Sequence, residues 1–153
     1  MKLGIVDLDT GNLASLLSAL NKLNINFKIC KNSFDFEDVD KIILPGVGAF
    51  KDLMKKINET NMDKIILAKI DKNVSILGVC VGFQILFSGS NEHGDCKGLG
   101  LIKGNFINFK DESEKIKVPH VGWNECKILK KNKLFQDIED NSDFYFTHSY
   151  YLK

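Results

Sequence analysis

The chain has 153 residues, 44% of them hydrophobic and 27% charged, with a formal net charge of +1. That length and balance suit one soluble globular domain, residues 1–153, with a sizeable core. They give no reason to expect nucleic acid or an anionic membrane as partner, and no apolar run approaches the roughly 18 residues that a bilayer span needs. The four cysteines, Cys30, Cys80, Cys96 and Cys126, include no Cys-x-x-Cys pair, so a zinc site or redox dithiol is unsupported and no metal or cofactor is expected. Met1 to Leu8 is a short strand-like run with an early acid rather than a secretory leader. Cytoplasm and reduced thiols follow as the expectation.

In chain order, Lys2 to Asp7 reads as a buried strand. Asp9-Thr10-Gly11-Asn12 supplies turn residues and a helix cap. Leu13, Leu16, Leu17 and Leu20 recur at helical spacing, and that helix should stop near Asn24. Asn26–Cys30 and Asp40–Leu44 read as strands, the second ending at Pro45-Gly46-Val47-Gly48. Ala49–Ile57 and Met62–Ile70 suggest helices, Val74–Val79 a fourth strand, and Phe83–Phe87 a further helix. Strands alternating with helices at this pace predict an α/β fold: a central, mostly parallel sheet with helices on both faces, and chemistry beyond the carboxyl ends of the strands. The second half differs. Gly98–Phe109, Lys115–Val118, Trp123–Leu129 and Phe144–Leu152 read as strands of a small antiparallel or mixed extension. The cluster Lys127, Lys130, Lys131 and Lys133 reads as a solvated turn.

One stretch stands apart: Gly78-Val79-Cys80-Val81-Gly82-Phe83-Gln84. A strand-like run enters it and a helix-compatible run leaves it, the layout of a nucleophile elbow. Such a turn strains the backbone of the nucleophile and admits only small residues beside it. Gly78 and Gly82 sit two residues before and two after Cys80. Helix N–H groups just beyond would favour a thiolate. From the residues alone two roles stay open for Cys80, a covalent nucleophile or a small buried hydrophobe.

These blocks together resemble the class I, triad-type glutamine amidotransferases, and within that family the glutaminase subunits of imidazole glycerol phosphate synthase. The resemblance is carried by Asp7-x-x-Thr10-Gly11-Asn12, Leu44-Pro45-Gly46-Val47-Gly48-Ala49-Phe50, the Cys80 elbow, Gly98-Leu99-Gly100-Leu101-Ile102-x-Gly104, Pro119-His120-Val121-Gly122-Trp123-Asn124, and Phe144-Tyr145-Phe146-x-His148-Ser149-Tyr150, in family order across the whole chain. It implies a flavodoxin-like fold and a reaction in which Cys80 attacks the side-chain amide of glutamine. Ammonia leaves for a barrel-shaped cyclase/synthase partner in a heterodimer of histidine biosynthesis, and water releases glutamate. It implies oxyanion donors at Val81 and in the loop Gly46, Val47 and Gly48, glutamine contacts from Gln84, Ser149 and Tyr150, and a partner surface at Asn12, Pro119, His120, Trp123 and Asn124.

By residues alone Gln84 could equally be an exposed helix glutamine, and Trp123 a core residue beside a turn. Two rival functions are sugar amidation in surface-polysaccharide synthesis by a paralogous subunit, and a non-catalytic docking module. The family's base and its orienting acid come from a late His-Pro-Glu segment, which does not occur in this sequence. None of His93, His120 and His148 takes the base role. The expectation is a domain incomplete at its C-terminus, with weak glutaminase activity.

Overall fold

A computed structural model describes residues 2–9 and 13–153. The chain divides into two compact units, Met1–Phe106 with Leu152–Lys153, and Ile107–Tyr151. The expected cap at Thr10, Gly11 and Asn12 lies outside the described residues.

The first unit is built on four parallel strands: β1 (Leu3–Val6), β2 (Phe27–Cys30), β3 (Lys41–Gly46) and β4 (Ser75–Cys80), in the order β2-β1-β3-β4. This is the first part of the doubly wound 2-1-3-4 arrangement, whose parallel strands are joined by helical crossovers. α1 (Ala14–Lys22) lies between β1 and β2, and α2 (Phe50–Glu59) and α3 (Met62–Ile70) lie between β3 and β4. All four residues of β1 are buried, as a central parallel strand requires.

Alternation along the strands assigns the two faces. Leu3, Ile5 and Ile43 face one way and pack with Leu20, supported by Leu13, Leu16 and Leu17 of the α1 stripe and by Phe27 and Ile29 of β2. Ile42 and Leu44, their neighbours on β3, face the other way; they are fully buried, as are Phe50, Leu53 and Ile57 of α2 and Met62 and Ile66 of α3.

Beyond β4 the structure corrects the expected helix. α4 spans only Val81–Gln84, and the chain passes directly into β5 (Phe87–Ser90). The helix tightens and stops where the Leu86 N–H donates to Phe83, three residues back, rather than to Gly82, and the carbonyls of Ile85, Leu86 and Phe87 do not go on to serve a further helical turn. They accept instead from a strap over residues 98–102: Leu99 N–H on Ile85 (2.7 Å), Leu101 N–H on Leu86 (2.9 Å) and Gly100 N–H on Phe87 (3.0 Å). Ser88-Gly89-Ser90 would be poor helix formers in any case. β5 pairs antiparallel with β6 (Cys96–Lys97) and parallel with β7 (Ile102–Asn108). The rings of Phe83, Phe87 and Phe106 meet edge to face at 5.1–5.9 Å.

The second unit is a hairpin of β8 (His120–Cys126) and β9 (Ser142–His148), antiparallel and in continuous register from His120↔His148 to Cys126↔Ser142. A short strand β10 (Tyr150–Leu152) follows after Ser149. Lys115–Val118, expected as a strand, forms turns and bends instead; its Lys-Ile-Lys alternation has no ladder partner. Every residue of this unit is at least partly exposed.

Ile5 has no exposed surface. Ile5→Ala should therefore cost about 2–5 kcal/mol of unfolding free energy by denaturant titration, the usual range for such a truncation.

Candidate active site

Cys80 is the last residue of β4 and stands in register opposite Gly46 of β3. Its backbone lies at φ 56°, ψ −123°, and α4 begins at the next residue. The other non-glycine residues with positive φ among those described are Asp9, Asn24, Asn61, Asn73, His93 and Asn141, types that tolerate such geometry through short polar side chains. Cys80 lacks that excuse, and its conformation costs on the order of 1–3 kcal/mol. Its side chain is exposed, so the buried-hydrophobe role left open by the sequence does not apply.

Three glycines make this turn possible by letting backbones touch. A Cβ on Gly82 would collide with the Leu44 carbonyl oxygen and lie 2.8 Å from its carbon. One on Gly78 would lie 2.6 Å from the Phe83 nitrogen and 2.7 Å from the Gly82 oxygen. One on Gly46 would lie 2.5 Å from Leu53 Cδ2, besides meeting the Gly82 nitrogen. The start of α4 therefore rests directly on the β3 and β4 backbones, and a side chain at any of the three would push it off.

The predicted loop lies beside the cysteine. Gly46 ends β3, Val47 and Gly48 are exposed, and Gly48 has φ 88° with open space around it. Val81 is buried and Gln84, at the end of the single turn, is half-buried. By helix geometry the first-turn N–H groups of α4 have no partner within the helix. One turn carries few aligned peptides, so the dipole that the longer expected helix would have offered is correspondingly small.

Sequence reading missed Glu92. Its Oε2 accepts the Phe50 N–H at 2.7 Å, capping α2 just past the Gly46–Gly48 loop from 42 residues away. A lone acid in a polar loop has no spacing signal that would have found it.

The electrostatics separate the thiols. Cys30 is fully buried, and desolvation, aided by the Asp35 charge, pushes its pKa up to about 11. It is a packing residue.

In the second unit, strand alternation divides the predicted partner block. Trp123, 70% exposed, shares a face with Val121 and with Tyr145, whose ring it meets at 5.5 Å. His120 and Asn124 project from the opposite face and are bonded to each other at 2.8 Å. Pro119 is exposed and follows a cis peptide. Ser149 and Tyr150 are half-buried; the Ser149 carbonyl accepts the Phe109 N–H at 3.1 Å. Asn12 lies outside the described residues. Among the described residues no group of three or more His, Cys, Asp or Glu could hold a metal ion, and no helix is long and apolar enough to cross a membrane.

The family model for glutamine amidotransferase class-I matches residues 5–153. The chain is 42% identical to imidazole glycerol phosphate synthase subunit HisH 1 of Campylobacter jejuni over 153 residues, covering 99% of this chain and 75% of that protein. It is 46% identical to subunit HisH of Methanocaldococcus jannaschii over 150 residues, covering 98% and 74% respectively. A crystal structure described as a glutamine amidotransferase superposes with a TM-score of 0.67 at 15% identity, covering 96% of this chain and 70% of the other; that likeness speaks to fold alone, and it agrees with the architecture expected from the sequence.

Two outcomes follow from the strain and the contacts. Cys80→Gly should raise unfolding free energy by about 1 kcal/mol, because glycine adopts this conformation freely, whereas Gly82→Ala should lower it by about 1–3 kcal/mol or more through overpacking; denaturant midpoints check both. Thiol titration of the folded chain at neutral pH should modify Cys80 and leave Cys30 untouched. Folding raises the Cys30 pKa from its ordinary 9.0, so the unfolded chain releases this proton first; the Cys30 contribution to stability is complete below pH 9 and is lost as pH rises toward about 11.

Proposed function

We propose, on the footing that this chain belongs to the class-I glutamine amidotransferase family, that it is the glutaminase subunit of an imidazole glycerol phosphate synthase of histidine biosynthesis. The observation that carries the reading is the strained, exposed Cys80 standing level with Gly46 at the carboxyl ends of β4 and β3. A scaffold that only docks a partner has no physical use for a cysteine held in so costly a turn.

In this reading the Cys80 thiolate adds to the side-chain carboxamide carbon of glutamine. The carbonyl electron pair moves onto oxygen, giving a tetrahedral oxyanion. Collapse of that intermediate, with a proton delivered to nitrogen, expels ammonia and leaves a glutamyl thioester on Cys80. Water then adds to the thioester, thiolate leaves and glutamate is released. The oxyanion is stabilised by backbone N–H groups aimed at where its charge develops. Val81, first in α4, and the peptide of Val47 or Gly48 are the donors assigned here, and the open space around Gly48 supports a peptide able to turn its N–H inward.

Gln84, Ser149 and Tyr150 hold the glutamine. The residues of 1–153 include no His-Pro-Glu segment, and the base and its orienting acid are assigned to none of them.

The ammonia passes to a synthase partner that we assign a barrel shape, docked over the block Pro119–Asn124 together with Asn12. The exposure of Trp123 supports this assignment, since a flat aromatic presented to solvent suits an interface anchor. Amino-acid biosynthesis and four unpaired thiols fit a reducing cytoplasm. We read the whole of 1–153 as belonging to one amidotransferase domain.

A glutamine-analogue electrophile, followed by peptide mass spectrometry, tests the site. Label should appear on Cys80, glutamine should protect it, and Cys80→Ser should abolish it. Label spread equally over Cys80, Cys96 and Cys126, or indifferent to glutamine, would refute the assignment.

A further inference from the structure

His120 and His148 were left without a role by the reaction, yet they are the centre of a continuous run of three polar contacts in the second unit. His148 Nδ1 lies 2.9 Å from the Tyr150 carbonyl oxygen, His148 Nε2 lies 2.9 Å from His120 Nδ1, and His120 Nε2 lies 2.8 Å from Asn124 Oδ1. Aromatic rings wall the pair: Phe109 stands 5.0 Å from His148, with Tyr151 stacked on it at 4.9 Å, and Phe146 lies 5.4 Å from His120. Glu112 and Asp111 act on Tyr151, whose phenol the Glu112 hydrogen bond pushes up to about 12. Glu125 and Asp143 project from the other face of the hairpin.

The proton count of this chain is constrained at its ends. The Tyr150 carbonyl only accepts, so His148 must carry N–H at Nδ1. If both rings are neutral, His148 Nε2 then accepts from His120 Nδ1, which leaves His120 Nε2 needing a donor, and the Asn124 carboxamide must present its NH2. If Asn124 presents its oxygen, the two rings hold three N–H bonds between them, one imidazole and one imidazolium sharing the central proton. Either way the bond between the rings survives, and the orientation of the Asn124 amide is tied to the number of protons that the two rings hold together.

The other end of the chain braces a backbone segment. The Ser149 carbonyl is held by the Phe109 N–H and the Tyr150 carbonyl by His148. A trans peptide is planar, so fixing its carbonyl also fixes the N–H on its far side. The two bonds thus set the directions of the Tyr150 and Tyr151 N–H groups.

We propose that His148 and His120 are positioning residues, linked as a hydrogen-bonded relay that makes the backbone at Ser149–Tyr151 depend on the Asn124 end of β8. The proposal rests on the functional reading in two respects, that Ser149–Tyr150 holds glutamine and that Asn124 belongs to the partner-docking block Pro119–Asn124. Partner contact at Asn124 then selects one arrangement of the relay, and glutamine binding feels it. The two histidines therefore respond as one unit.

Two measurements test it. In the chain labelled with 15N-histidine, Asn124→Ala should shift the ring nitrogens of both His120 and His148. A shift confined to His120 would overturn the relay, whatever the protein's activity. In the complex with the synthase partner, His148→Phe keeps the aromatic packing but removes the donor. It should raise KM for glutamine roughly three- to tenfold, the loss expected for one positioning hydrogen bond, with a smaller change in kcat and partner affinity within about twofold of the parent. His148→Gln, whose amide can donate to the same carbonyl, should restore most of the KM. An unchanged KM in His148→Phe would overturn the positioning role. Where turnover is too slow for a KM, the dissociation constant for glutamine is the readout; failure of glutamine to protect Cys80 from the electrophile marks the failure of the functional reading, and the 15N shifts decide the relay by themselves.

Discussion

The contact on which the site depends is backbone against backbone: the start of α4 seated on the end of β3 with no side chain between them. Gly82 lies against the Leu44 carbonyl, Gly78 against Phe83 and Gly46 against the Gly82 nitrogen. Once these three surfaces touch, the chain leaving β4 has too little room for an ordinary turn, and Cys80 takes the left-handed geometry. The strain is on the order of 1–3 kcal/mol. The residues just beyond it, Val81, Ile85, Leu86 and Phe87, are all buried, and each such side chain contributes roughly 1.5–3 kcal/mol by its removal from water. Burial on the far side of the turn therefore outweighs the strain within it, and the sulfur is held exposed at the sheet's carboxyl edge.

The same seating explains what surrounds the elbow. A full helix after Cys80 would have carried the chain away from the sheet. The strap at residues 98–102 takes the carbonyls through which a further helical turn would continue, and the chain enters β5 instead. That places Glu92, in the turn after β5, where its carboxylate can cap α2 and anchor the loop from Gly46 to Gly48 at its far end. The loop is thus fixed at both ends, by β3 and by the capped helix, while its centre at Val47 and Gly48 stays exposed.

The second unit is held differently. With every residue partly exposed, its hairpin relies on its ladder, on cross-strand aromatic pairs such as Trp123 with Tyr145, and on the His120–His148 bond. Cross-strand pairs contribute roughly 0.2–1 kcal/mol each, and a two-stranded hairpin by itself is marginal in water. A polar chain set among aromatic rings carries a larger share of the order here than it would in a unit with a closed core.

The amino-acid sequence by itself determined the elements from β1 to β4 and the place of Cys80 at the turn that follows them. The Leu13–Leu20 stripe, the apolar runs of β1 to β4 and the Gly-x-Cys-x-Gly spacing are local patterns, each written within about ten residues, and the backbone obeys them. Where such a pattern was all there was, as at Phe83–Phe87 and Lys115–Val118, it misled, because a distant strap overrode the first and no strand came to pair with the second. Tertiary structure alone decided that Glu92 reaches Phe50, that Trp123 and Asn124 look to opposite sides of one hairpin, and that two histidines 28 residues apart share a bond. Hydrogen bonds between residues so far separated leave no periodic trace in the chain, since they depend on where strands stop and pair rather than on which residue follows which.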